Sequence, residues 1–221
     1  MPKVPKVPKV KVKICGITNW ADAQRAMKAG AALLGFNFYA KSPRYIAPAK
    51  ARRIVRRLPP RVLAVGVFVN ETEQKMLRIA RSVGLDRLQL HGDEPPDTVA
   101  RLTRSLPVIK AFRAGDSFHP RKLARFKRAS AILLDGFDRR RPGGTGKTFD
   151  WRRARGAKRY ARIFLAGGLT PENVGDAIRI VKPYAVDVCS GVEAKLGKKD
   201  PERIEALMRA VRAADGSKVG R

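Results

Sequence analysis

Apolar residues recur along this chain in two alternating rhythms. Short β-rich runs fall at residues 11–15, 32–38, 62–69, 87–90, 107–112, 131–135, 162–167 and 185–190. Between them lie stretches with apolar residues at helical spacing, among them residues 19–30, 48–58, 72–84, 171–183 and 200–214. A strand period giving way to a helical one, again and again, predicts strand–helix units. The last helix is the most clearly bounded: Asp200 is placed to cap it, Pro201 fits its first position and Glu202 follows.

Strands joined through helices build a parallel sheet. Eight units in 221 residues average about 28 residues each, which suits a single-domain (β/α)8 TIM barrel. An open doubly wound sheet would carry a glycine-rich nucleotide turn after its first strand. The segment "CGITNW" has no such fingerprint. The expected organisation is a catalytic barrel over residues 11–215 and a short tail over 216–221. Ahead of the barrel, residues 1–10 repeat Pro-Lys-Val three times, and proline at every third position favours an extended, flexible basic tail.

Charge adds one feature that periodicity does not. Lys and Arg number 48 against 19 Asp and Glu, a formal net charge of +29. Many cations therefore lack an acidic partner, so surface ion-pair networks do not explain the excess. Such a field draws anionic metabolites toward the protein, and it offers non-specific nucleic-acid binding through the basic tail as a further partner. A solvated basic surface without a dedicated partner is the plainer reading. No apolar run approaches the ~18 residues that span a bilayer, so no membrane association is expected. Two cysteines make no disulfide framework, which agrees with a reducing, cytoplasmic setting.

In a barrel of this kind the chemistry belongs at the carboxyl ends of the strands. Those positions hold Cys15 at the first strand, Gln89 and His91 at the fourth and Asp135 at the sixth. Gly167 and Gly168 follow the seventh strand, and Ser190 and Gly191 the eighth. Glycine-rich turns on the last two strands are where barrels bind a phosphate group, so a phosphorylated small-molecule substrate is expected. A thiol and a carboxyl on separate strand ends suggest a base and an acid for proton transfer. Each has a duller alternative, a small buried hydrophobe for the cysteine and a turn former for the aspartate.

Two tempting signals fail. The run "RRRPGGTGKTFDW" would be a nucleotide P-loop only with glycine at position 141, which is Arg141. A glycine-rich lid over residues 139–151 fits better. His91 and His119 lie in different units without a ligand pattern, so no metal site and no cofactor are expected.

Seven segments together, "KICGIT", "SPRYI", "LQLHG", "LLDG", "GGTGKTFDW", "LAGGLTPENV" and "DVCSGVE", resemble the phosphoribosylanthranilate isomerase family of tryptophan biosynthesis. They occur in order, from about Lys11 to the final helix. The resemblance implies a cofactor-free Amadori rearrangement of N-(5-phosphoribosyl)anthranilate to 1-(2-carboxyphenylamino)-1-deoxyribulose 5-phosphate. It implies Cys15 as general base and Asp135 as general acid. Arg44 would meet the anthranilate carboxylate, Gly167, Gly168, Ser190 and Gly191 the phosphate, and Gln89, His91 and Asp187 the sugar. The phosphoribosyl aminoaldose isomerase of histidine biosynthesis is the alternative, but members of that family carry an aspartate at the first-strand position where this chain has Cys15, and they are built for two phosphates.

The chain departs from the resemblance at Cys189, where relatives usually carry serine. Strands one and eight are neighbours in a closed barrel and side chains alternate along each. If Cys15 and Cys189 point inward, so do Lys13 and Asp187, and these two are expected to pair across the seam beneath the thiols.

Overall fold

The computed structural model describes residues 9–115, 118–136 and 151–216. The first eight residues, most of the Pro-Lys-Val tail, lie outside these, as do residues 139–150 of the expected lid. Eight parallel strands follow one another around a closed barrel in chain order. They are β1 (Lys11–Ile14), β2 (Leu33–Asn37), β3 (Leu63–Phe68), β4 (Arg87–Leu90), β5 (Val108–Arg113), β6 (Ala131–Asp135), β7 (Ile163–Ala166) and β8 (Ala185–Val188). Each expected strand is present, with ends that differ by a residue or two.

Among the described residues, seven α-helices return the chain: α1 (Trp20–Ala29), α2 (Pro48–Val55), α3 (Glu73–Val83), α4 (Pro96–Leu102), α5 (Trp151–Ala157), α6 (Val174–Val181) and α7 (Pro201–Ala214). Caps at their ends explain the boundaries. Asn19 and Thr72 accept backbone N–H groups at the starts of α1 and α3, and Asp200 accepts from Glu202 and Arg203 at the start of α7. The fifth unit departs from strict alternation, since Pro120–Phe126 forms a 3₁₀ helix between β5 and β6. A second departure is a hairpin, β9 (Glu193–Lys195) and β10 (Lys198–Lys199), that follows β8 and was not expected.

Two apolar layers hold the barrel. The larger lies between strands and helices and includes Val12, Ile14, Phe36, Phe68, Leu134, Leu165, Leu207 and Met208. The smaller fills the lumen with Leu33, Val65, Ile109, Leu133 and Phe164. Because side chains alternate along a strand, Leu133 pointing inward places Asp135 inward too, one step nearer the mouth.

One position in the lumen is ionic. β1 pairs with β8 in the register Lys13↔Asp187, and Lys13 Nζ donates to Asp187 Oδ1 at 2.8 Å. Lys13 is fully buried and Asp187 nearly so, as the alternation rule and barrel closure predicted. Burial pushes the Asp187 carboxyl up to about 6 against the pull of Lys13. Burial also works against the Lys13 ammonium, but Asp187 and Cys15 outweigh it and hold the amine above its ordinary value. Removing one member of such a pair leaves an uncompensated buried charge. Lys13→Met is therefore expected to cost about 3–5 kcal/mol in urea unfolding, with Lys13→Met/Asp187→Leu recovering much of that loss.

Candidate active site

The site is built at the carboxyl end of the barrel. Cys15 follows β1, and its N–H donates to Val188 O at 2.9 Å, which continues the β1–β8 ladder one step beyond the strands. Its side chain therefore shares the inward face with Lys13. Room for both comes from Gly35 on the neighbouring strand β2. A Cβ at that position would lie 2.7 Å from Cys15 Sγ and 3.0 Å from Lys13 Nζ, closer than packed atoms tolerate. Gly35 was not singled out from sequence, where it reads only as a weak point in an apolar strand.

The surroundings of Cys15 favour its ionised form. A hydrogen bond from Cys189 is the largest influence, and the Lys13 and Lys199 ammonium groups add to it. Together they outweigh burial and hold the thiol well below its ordinary value of 9.0. Cys189 is displaced the other way, well above that value, by its hydrogen bond to Cys15, burial and the nearby negative charge. A thiolate at Cys15 beside a thiol at Cys189 is the state these contacts select.

β4 and β6 bring the second group together. Gln89 Nε2 lies 3.0 Å from His91 Nδ1, and His91 Nε2 lies 3.4 Å from Asp135 Oδ2. With the amide nitrogen donating, Nδ1 accepts and Nε2 carries its proton toward Asp135 Oδ2. His91 thus stands beside Asp135, joining two residues that sequence reading had assigned separately. Gln89 Oε1 is buried without a hydrogen-bond partner among the described residues. The β4 loop is braced from behind. Buried Lys110 donates to Gly92 O at 2.7 Å and to Glu94 Oε2 at 3.0 Å, while Glu94 accepts from the N–H groups of Asn70 and Gly92.

The turns after β7 and β8 face each other. Gly167 and Gly168 have left-handed backbone, with φ of 88° and 66°. A Cβ at Gly191 would lie 1.9 Å from Leu169 O, so only glycine lets the β8 turn pack on the β7 turn. Asn173 ties the β7 turn internally, accepting from Thr170 N–H and donating to Gly168 O. The four expected phosphate residues thus lie on two adjoining backbone turns.

Arg44 reaches this end of the barrel from the β2–α2 loop. Its Nε and Nη2 donate to Glu193 at 2.8 and 2.7 Å, which leaves the outer Nη1–Nη2 edge for a ligand carboxylate. Glu193 also accepts from Lys199 Nζ at 3.0 Å, and Lys199 reaches Cys189 O at 3.0 Å. Burial pushes the Glu193 carboxyl up, yet Arg44 and Lys199 prevail and hold it below its usual range. Glu193 and Lys199 were missed in the sequence. They sit on the short β9–β10 hairpin, which carries no apolar alternation to reveal it. No group of three or more metal-ligating side chains occurs among the described residues. No described helix is long and apolar enough to cross a membrane.

Comparison with known proteins agrees with this geometry. The family model for N-(5'phosphoribosyl)anthranilate (PRA) isomerase matches residues 12–210. N-(5'-phosphoribosyl)anthranilate isomerase of Moorella thermoacetica is 49% identical over 207 residues, 93% of this chain and 91% of the relative. The crystal structure of phosphoribosyl anthranilate isomerase from Thermotoga maritima superposes with a TM-score of 0.87 at 45% identity, covering 92% of this chain and 99% of that one. A further structure, of the same enzyme type in complex with reduced 1-(o-carboxyphenylamino)-1-deoxyribulose 5-phosphate, matches with a TM-score of 0.83 at 43% identity, covering 92% and 99%. The barrel, its mouth and these matches place the chain in the N-(5'-phosphoribosyl)anthranilate isomerase family.

Proposed function

We propose that this chain isomerises N-(5'-phosphoribosyl)anthranilate to 1-(o-carboxyphenylamino)-1-deoxyribulose 5-phosphate, with Cys15 as general base and Asp135 as general acid. The observation that carries the assignment is the position of Cys15, a thiol on the barrel's inner face with the Lys13 and Lys199 ammonium groups near it, which favour its ionised form. A thiolate is the form that accepts a proton.

The reaction is a redox-neutral rearrangement that runs on proton transfers. Asp135 gives a proton to the ribose ring oxygen as the C1′–O bond breaks and the anthranilate nitrogen forms a protonated Schiff base. The thiolate of Cys15 then takes the C2′ proton, and the electrons left behind form the C1′–C2′ double bond of an enolamine. Protonation at C1′ and loss of the 2′-hydroxyl proton give the ketone. His91, 3.4 Å from Asp135, orients the acid and presents an N–H beside it.

The remaining residues hold the two ends of the substrate. The turns at Gly167, Gly168, Ser190 and Gly191 offer backbone N–H groups to the phosphate. Arg44, held by Glu193, directs its outer edge to the anthranilate carboxylate, a pairing suited to a guanidinium. Gln89 Oε1, a buried acceptor without a hydrogen-bond partner among the described residues, is suited to a sugar hydroxyl. Asp187 acts on the reaction mainly through Lys13, which it holds beneath Cys15.

Cys15→Ser and Asp135→Asn are each expected to lower turnover by about 10²–10⁴-fold, the scale of a lost general base or acid, while far-UV circular dichroism stays unchanged. Loss of substrate fluorescence reports the rate; a Cys15→Ser enzyme that keeps its rate would refute the assignment. Arg44→Lys keeps the charge near Glu193 but loses the planar edge. It is expected to raise KM roughly tenfold or more, the scale of a lost charge-assisted hydrogen bond, with a smaller change in kcat.

A further inference from the structure

The proposed mechanism uses one thiol, yet two stand at the barrel mouth. Ile14 and Val188 are register partners and Cys15 N–H bonds to Val188 O at 2.9 Å, so Cys15 and Cys189 occupy the next facing positions on neighbouring strands. Strands in a ladder lie about 4.8 Å apart, inside the ~4.4–6.8 Å between Cα atoms that a disulfide spans. Both side chains are on the inner face, close enough to shift each other's ionisation, and both are partly exposed. Around them lie Lys13 below, Lys199 Nζ at 3.7 Å from Cys189 Sγ and Glu193 Oε1 at 4.0 Å. The setting is electropositive, as reactive thiols require.

We infer that Cys15 and Cys189 form a reversible oxidation site, at which a hydroperoxide converts the pair to an intramolecular disulfide that silences the enzyme. The silencing rests on Cys15 being the base; the cross-link does not. In the first step the Cys15 thiolate attacks one peroxide oxygen. An S–O bond forms, the O–O bond breaks, and the peroxide's second oxygen leaves with the electron pair and takes up a proton as water or an alcohol. Sulfur is oxidised to the sulfenic acid. Cys189 then attacks that sulfur, the S–S bond forms, the S–O bond breaks and the hydroxyl leaves as water with the Cys189 proton. A dithiol reverses the change by thiol–disulfide exchange: the protein's S–S bond breaks, both cysteines regain their protons, and the dithiol gives up two electrons to form its own S–S bond. Cys189 thereby acts as the resolving thiol that protects Cys15 from further, irreversible oxidation.

The full chain treated with equimolar hydrogen peroxide tests this by thiol counting in denaturant, intact mass and turnover on the same sample. The expected product has no free thiol, a mass lower by two hydrogens and a tryptic cross-link between the Cys15 and Cys189 peptides. Its turnover falls roughly tenfold or more and returns on dithiothreitol. Cys189→Ser should instead gain oxygen atoms at Cys15 and, after excess peroxide, fail to recover. An inactivated wild-type protein with two free thiols, one whose mass only rises, or one joined between molecules on a non-reducing gel would overturn the site. A cross-linked protein with full turnover would overturn the silencing and the role of Cys15 together.

Discussion

An ammonium group inside a barrel costs several kcal/mol unless a counter-charge meets it there, and here Asp187 meets Lys13 at 2.8 Å. That requirement locks β8 beside β1 in a single register, because a one-residue slip would turn either side chain out of the lumen. With the register set, Cys15 and Cys189 stand one step higher on the same inner faces. Gly35 leaves the space that both Lys13 and Cys15 occupy. The placement of Cys15, the position of the turn that begins at Ser190 and the approach of the hairpin all follow from this one seam.

The second support of the mouth is the network at Glu193. Arg44 and Lys199 converge on its carboxylate, while Lys199 N–H bonds to Asp22 Oδ2 and Thr18 donates to Gly197 O. The hairpin is thereby fastened to the start of α1, just beyond Cys15. A loop after the last strand and a loop after the first are thus joined through hydrogen bonds. This suits a region that must admit a charged substrate, since polar groups already paired to protein keep their orientation when water leaves.

Much of this was legible beforehand, for reasons that differ by element. All eight strands are apolar runs long enough to show their period, and Asp200-Pro201 marks a helix start unambiguously. The Lys13–Asp187 pair could be read from alternation plus closure of the barrel, since both rules act on backbone alone. Cys15 and Asp135 stood out because strand ends in this fold carry chemistry. Glu193 and Lys199 did not, since a two-residue turn at Leu196 and Gly197 between short charged strands resembles a solvated surface. Burial of Lys199 to 1% is a tertiary property with no local signal. The pairing of His91 with Asp135 is likewise decided by the distance between β4 and β6 loops, which sequence spacing does not encode.

The barrel interior, through Lys13, Lys199 and Cys189, favours the ionised form of Cys15. Its alkylation by iodoacetamide, followed against pH by mass analysis of the Cys15 peptide in the folded wild-type enzyme, measures this directly. The account predicts a rate whose half-maximal point lies well below 9.0, the ordinary value for the thiol. A half-maximal point at or above that value would contradict it.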